Sequence, residues 1–338
     1  MAEGRVTEFY VLRGFEEALR PPVDVRRARI TPAVLGKAGM RGEGEAAARV
    51  ARLARRVPEV MVKITGRTRD AGHLKAHLDY ISRNGALDLE GPDGERLKGA
   101  RDVAGLSRDW AEEAAMEPGR RCNSPLSLSI ILSMPAGVQP TRVRDAARAF
   151  AVATFGERFA YVFALHDEGR HPHVHLTVRA LGREGERLNP RKADLQAWRE
   201  GFARALRDRG VEAEATPRRA RAVTRKAERG PVRRMRERYL AGRGPLPRVL
   251  EAAYRQALRD DARPTPWRAA IRARELAIRR ALVAESLRLQ RSGKVEDRVL
   301  GALVERFTRS RREPETREES LVRRRTDPVR DDRRDRER

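Results

Sequence analysis

Hydrophobic and polar positions along this chain repeat with two different periods, and the switches between them mark out a folded middle. Val60, Val62 and Ile64 alternate as a strand, and Leu74, Leu78 and Ile81 then recur at helical spacing up to Gly85, a natural C-cap. A second helix is predicted from about Arg101 to Ala115, and Ser127 to Met134 reads as a buried strand ended by Pro135-Ala136-Gly137. Thr141 to Phe155 is helical again, with Val143, Ala147, Phe150 and Ala151 on one face. Phe159, Tyr161, Phe163 and Leu165 alternate as a strand that runs into His166; after a short loop comes the strand His173 to Arg179. A Gly-rich turn at Gly182 to Gly185 precedes a helix from about Arg191 to Arg209. The order β-α-α-β-α-β-β-α predicts an α+β domain on a mainly antiparallel central sheet flanked by helices.

Outside residues 58–217, the expected domain, the pattern fades. Residues 1–57 are rich in arginine and alanine and break at Pro21-Pro22; they read as a basic arm, partly disordered, with a short helix near Glu45 to Arg56. Residues 218–310 form a basic helical region, with Leu250, Ala253, Tyr254 and Leu258 at helical spacing and no strand signals. Residues 311–338 have almost no apolar content and are expected to be a disordered charged tail.

Charge narrows the partner. A formal charge of +25 with 36% charged and 5% aromatic residues calls for a polyanion, nucleic acid first and an anionic membrane surface second. The longest mostly apolar run, Leu126 to Pro135, is strand-sized and far short of the ~20 residues of a spanning helix, so no membrane span is expected. The first residues carry Glu3, Arg5 and Glu8 with no apolar stretch, so no secretory signal is expected. A single cysteine, Cys122, excludes an internal disulfide framework and a thiolate zinc cluster, and a cytoplasmic setting fits. No GxxxxGK[ST] element supports an ATP-driven helicase.

The candidate chemistry lies in the histidines. His166, His171, His173 and His175 fall within ten residues, in LHDEGRHPHVHLTVR. In a strand, residues two apart share a face, so His173 and His175 point one way while Val174, Leu176 and Val178 pack into the core. His166 ends the preceding strand and returns beside them, giving three imidazole ligands for a divalent metal with positions left open for substrate. A structural zinc site is the weaker alternative, because such sites commonly use four protein ligands with cysteine among them. His171 is expected to support the ligands or touch DNA, and Asp167 or Glu168 to take a ring N–H.

The remaining two histidines precede a tyrosine in HLKAHLDYISRNG, where His73, His77 and Tyr80 form one stripe beside the apolar stripe of Leu74, Leu78 and Ile81. On this segment alone Tyr80 reads as a packing residue. Beside a metal-polarised phosphodiester, which needs a nucleophile, it becomes the candidate nucleophile, with His77 as a supporting or DNA-contacting group. Lys63, Arg67, Arg69, Arg83, Arg179, Arg187, Arg191 and Lys192 are expected near the cleft. Neutralising ~6 phosphates there would make affinity fall steeply with salt.

MVKITGRTRDAGHLKAHLDYISRNGALDLEG, then SIILSMPAG, then the segment from HDEGRHPHVHLTVR to VEAEA, resemble in this order the relaxase (mobilisation nuclease) family of HUH endonucleases, of the T-DNA border endonuclease type. The resemblance covers roughly residues 59–230. It implies that Tyr80 takes the nucleophile's place in the YxSR segment and that His166, His173 and His175 are the metal ligands. It also implies a divalent ion, Mg²⁺ or Mn²⁺, with Zn²⁺ permitted by an all-histidine set. The implied activity is nicking of one strand at an origin of transfer through a 5′-phosphotyrosine link. The implied partners are single-stranded and origin-of-transfer DNA, a type IV secretion coupling protein and accessory mobilisation proteins, with passage of the protein into a recipient cell. The loop GRTRDAG is poorer in glycine than the family pattern, and the arm before the first strand is longer. Two other readings compete. A rolling-circle replication initiator shares the chemistry but places its tyrosine after the histidine pair, where only Tyr239 and Tyr254 stand. A non-catalytic DNA-binding mobilisation accessory protein would use the histidines for a structural metal.

Overall fold

The computed structural model describes residues 43–117, 120, 121, 123–168, 171–217, 220, 221, 228, 230–258, 266–311, 313 and 319. The expected arm up to residue 42, Cys122 and most of the expected tail lie outside the described residues. The described residues divide into two compact units, one ending at Ala215 and one beginning at Thr216.

In the unit ending at Ala215, helix α1 (Glu43–Ala54) leads into strand β1 (Met61–Thr68), helix α2 (Ala71–Ile81), strands β2 (Leu89–Glu90) and β3 (Arg96–Leu97) and helix α3 (Gly99–Ala115). Strand β4 (Ser127–Ser133), helix α4 (Pro140–Phe155), strands β5 (Tyr161–His166) and β6 (His173–Arg179) and helix α5 (Lys192–Arg207) complete it. The strands form one antiparallel sheet of order β1-β4-β6-β5-β2-β3. The expected α+β architecture is therefore present. The hairpin β2–β3 is an addition; strands of two residues carry no alternation for a sequence reading to find.

Alternation along the central strands separates the sheet's two faces. Ile130, Leu132, Val174, Leu176, Val178, Tyr161 and Phe163 point to one face, where α4 and α5 cover them with Val143, Phe150, Phe155, Trp198 and Phe202. Each such side chain fully withdrawn from water contributes about 1.5–3 kcal/mol. On the other face α2 and α3 bury Leu74, Leu78, Ile81, Val103 and Trp110 against Val162 and Ala164. That cover is partial. Ser127, Ser129, Thr177, His175 and His173 share this second face, so it is apolar over β5 and polar over β4 and β6.

Residues 43–57, expected as the end of an arm, instead pack on the body. Val50, Leu53 and Val57 are buried, and Arg52 Nε meets Glu214 Oε2 at 2.7 Å where Val60 N–H donates to the Glu214 carbonyl. Burial alone would raise the Glu214 carboxyl. The Ala215 N–H and the Arg52 guanidinium outweigh it and hold the group below its ordinary value.

In the second unit the expected basic helical region is helical: α6 (Gly230–Leu240), α7 (Arg248–Leu258), α8 (Pro266–Gln290) and α9 (Val295–Arg309). Helices α8 and α9 approach closely at Gly301, where an added Cβ would lie 2.9 Å from Gln290 N, and Ser286 Oγ donates to the Gly301 carbonyl at 2.8 Å. Arg311, expected to open the tail, is buried here. Its Nη2 donates to Glu275 Oε2 at 2.8 Å and its Nη1 to the Ala220 carbonyl. Among the described residues no helix is long and apolar enough to cross a membrane.

Arg52→Ala should lower the unfolding free energy by about 3 kcal/mol, because it strands a buried carboxylate. Urea titration at neutral pH measures this, and an unmoved midpoint would show the pair to be idle. Since the folded-state value of Glu214 is depressed, the pair's contribution should be complete above about pH 4.5 and decline as pH falls through the folded value.

Candidate active site

Strand register assembles the histidines. His166 lies directly across from His173 on the β5–β6 ladder, and His175 lies across from Ala164 on the same face. The ring centroids stand 5.4 Å apart for His166 and His173, 4.5 Å for His166 and His175, and 5.1 Å for His173 and His175. One ring nitrogen from each comes within 4.8 Å of the others.

Hydrogen bonds fix which nitrogens face the cluster. His166 Nε2 lies 2.8 Å from the Ile81 carbonyl, which only accepts, so Nε2 carries the hydrogen and Nδ1 keeps the lone pair. His173 Nδ1 donates to the His171 carbonyl at 3.0 Å, leaving Nε2 as its lone-pair nitrogen when neutral. His175 Nε2 is buried and has no hydrogen-bond partner. Burial lowers His166, and burial together with the other histidines lowers His175 to about 3. Two of the rings are thus neutral at neutral pH, the state a metal ligand needs. An orphaned buried nitrogen beside two oriented imidazoles fits a divalent cation.

The groups that orient the rings are backbone carbonyls, not the carboxylates expected from the sequence. Asp167 is exposed and bonds to none of the three histidines; Glu168 instead meets Arg83 Nη2 at 3.0 Å. His171 is exposed and contributes its carbonyl. No sequence signal marks Ile81 as a ring-holder, because the acceptor is main chain.

Helix α2 brings Tyr80 over this cluster. Asp70 caps the helix by accepting from the His73 N–H at 2.8 Å, and Leu74, Leu78 and Ile81 are buried. At the other end Leu78, Asp79 and Tyr80 carbonyls accept from Ser82, Asn84 and Arg83, which leaves the Ile81 carbonyl for His166. The chain escapes through three successive left-handed residues, Arg83, Asn84 and Gly85, at φ 53°, 56° and 88°. The last must be glycine, since an added Cβ would lie 2.3 Å from Ala100 N. Tyr80 stays 55% exposed, its ring edge-on to His175 at 5.5 Å and 6.2 Å from His166. His73 does not join the stripe; it is exposed and pairs with Asp70 at 2.7 Å. His77 turns to the sheet, its Nε2 at 2.9 Å from both Thr177 Oγ1 and Ser129 Oγ, and burial lowers its pKa.

The eight expected DNA-binding cations are not brought together. Lys63 pairs across the sheet with Ile131, itself opposite His175, and so shares the histidine face; Arg83 reaches the loop after His166. Arg67 does not share that face, because a bulge between Ile64 and Gly66 reverses the alternation and sets it opposite Leu128. Arg69 follows β1 at the end of the sheet remote from His173. Arg179, at that same end, pairs with Glu113, and Arg187 with Glu117. Arg191 and Lys192 open α5, on the opposite face; Asp194 accepts from the Arg191 N–H at 2.5 Å.

Residues 90–211 match the relaxase family model described as MobA/VirD2-like, nuclease domain. Over those residues the chain is similar to the relaxase nuclease domain. The matched residues take in all three clustered histidines, and Tyr80 lies ahead of them. Curated proteins similar to this chain include the T-DNA border endonuclease VirD2 of Agrobacterium fabrum (strain C58 / ATCC 33970), 27% identical over 49% of this chain and 41% of that protein. The protein of the same name from Rhizobium radiobacter is 26% identical over 49% of this chain and 43% of its own length. The match thus spans about two fifths of each relative. A solved structure described as "Molecular Basis of Vancomycin Resistance Transfer in Staphylococcus aureus" is similar over 47% of this chain and 97% of that one. Its 17% identity and TM-score of 0.30 bear no weight for fold or function.

His175→Ala should weaken Mn²⁺ or Zn²⁺ binding to the full chain by more than about 100-fold, since even outer hydrogen-bond partners of ligands are worth up to that. His73→Ala should leave it unchanged. Isothermal titration calorimetry on both variants measures the difference; equal affinities would remove the cluster as a metal centre.

Proposed function

We propose that this chain nicks one strand of DNA by a transesterification in which Tyr80 is the nucleophile and His166, His173 and His175 hold a divalent cation. The supporting observation is the placement of an exposed tyrosine ring 5.5 Å from the one histidine whose buried Nε2 lacks a partner. The curated relatives' name, T-DNA border endonuclease, supports a DNA strand as the substrate.

In the reaction the phenolic oxygen of Tyr80 bonds to phosphorus and the bond from phosphorus to the 3′ oxygen breaks. The proton of Tyr80 is balanced by the one the 3′ oxygen takes up as it leaves as a hydroxyl. A 5′-phosphotyrosine diester remains. No water is consumed, so the reverse attack by a 3′-hydroxyl restores the strand. A bound Mg²⁺, Mn²⁺ or Zn²⁺ would draw charge from a non-bridging phosphate oxygen. Lys63, on the histidine face of β1, supplies a positive charge along the sheet, and Arg83, paired with Glu168, reaches the loop after His166. We extend the proposal to strand transfer, because a 5′ link leaves the protein at the leading end of the strand it has cut.

Incubation of the full chain with Mn²⁺ and labelled single-stranded DNA from a candidate transfer origin should give a covalent adduct on a denaturing gel. Tyr80→Phe should abolish it, and His173→Ala should reduce it to background. An adduct that survives Tyr80→Phe moves the nucleophile to Tyr239 or Tyr254 and favours a replication initiator. Tight binding of a cognate origin with no adduct favours a non-catalytic accessory protein.

A further inference from the structure

We propose that His77 is a positioning residue for Tyr80, tying the nucleophile's helix to the ligand strand through Ser129 and Thr177. The inference deepens the reading of Tyr80 as nucleophile and rests on it.

The polar half of the sheet beneath α2 buries the hydroxyls of Thr68, Ser127, Ser129 and Thr177. Thr68 and Ser127 satisfy each other, Oγ1 to Oγ at 2.7 Å. Ser129 and Thr177, cross-strand neighbours one step nearer the histidines, lie with Oγ and Oγ1 each at 2.9 Å from a single His77 Nε2. These are the directional contacts between the middle of α2 and the sheet, because Leu74, Leu78 and Ile81 pack into the apolar cluster over β5. Apolar packing fixes how deep a helix sits far better than how it is rotated. Rotation is what Tyr80 is sensitive to, since its ring projects from α2 and is more than half exposed.

The spacing links the two contacts. His77 precedes Tyr80 by three residues, nearly one turn, and Thr177 follows His175 by two, one step along the same face. The helix runs against β6, so the pair His77–Thr177 and the pair Tyr80–His175 form successive rungs between them. The Ile81 carbonyl bonded to His166 closes the end of the series. The hydrogen bond at the first rung sets the rotation of α2, and that rotation sets where the Tyr80 ring stands at the second.

Two substitutions test this in the full chain: His77→Leu removes the hydrogen bond, and His77→Gln keeps a polar atom at the position of Nε2. In steady-state cleavage of single-stranded DNA, His77→Leu should lower kcat by about 100-fold, the scale of a 1 Å misplacement of a reacting group. KM and Mn²⁺ affinity should stay within about twofold of wild type, and His77→Gln should recover most of the loss. A parallel loss of kcat, KM and metal affinity that His77→Gln does not recover would make His77 merely structural and overturn the proposal. A second readout needs no catalysis. With 3-fluorotyrosine at position 80, the ¹⁹F resonance should carry the ring shift of His175 in the wild type, move toward the solvent value in His77→Leu, and return in His77→Gln. An unmoved resonance in His77→Leu overturns the proposal even if the chain cuts DNA. If the wild type cuts nothing, the nucleophile reading fails, and the ¹⁹F shift alone decides whether His77 places Tyr80.

Discussion

The two-residue period of β6 is the constraint on which the rest depends. This strand lies between β4 and β5, and its Val174, Leu176 and Val178 are committed to the core under α4 and α5. His173 and His175 therefore have one face left to them, and pairing with β5 puts His166 beside them. A one-residue slip would drive the imidazoles into the core and expose the aliphatic side chains, so the hydrophobic core itself keeps the cluster in register.

The second face answers a different demand. It is covered enough to keep two imidazoles neutral, yet open enough to leave the Tyr80 ring in solvent. Helices α2 and α3 meet both by shielding the apolar half over β5 and leaving Tyr80 at the margin. The left-handed run at Arg83 and Asn84 costs roughly 1–3 kcal/mol per residue. In return the chain turns away from the end of α2 and leaves the Ile81 carbonyl free to orient His166. Strain is stored where the helix that carries Tyr80 meets the histidine cluster.

The features that could be read from the sequence were those that repeat. Alternation gave β6 and the shared face of His173 and His175, and the helical stripe of Leu74, Leu78 and Ile81 placed Tyr80 beside a buried seam. Features that arise from contacts distant in sequence were not visible. The bulge in β1 breaks the count that would have put Arg67 with Lys63, and nothing local announces it. Arg179 and Arg187 look like free cations until Glu113 and Glu117 are brought to them. The carbonyls of Ile81 and His171 carry no residue-type signal, whereas Asp167, which does, is exposed. The end of α1 resembles an arm in sequence because its partners, Glu200 and Glu214, come about 150 residues later.

Strand β1 is an outer strand of the sheet, and outer strands invite other chains to pair with them. Up to Val62 this rim is occupied: Glu214 bridges to Glu59, its carbonyl accepts from Val60, and Arg199 Nη2 donates to the Val62 carbonyl at 3.4 Å. Beyond that point the rim lies open among the described residues, and there the bulge kinks the ladder while Lys63 and Arg67 project charge from its two sides. The irregularity that keeps Arg67 away from the histidines thus also guards the molecule against strand-by-strand aggregation.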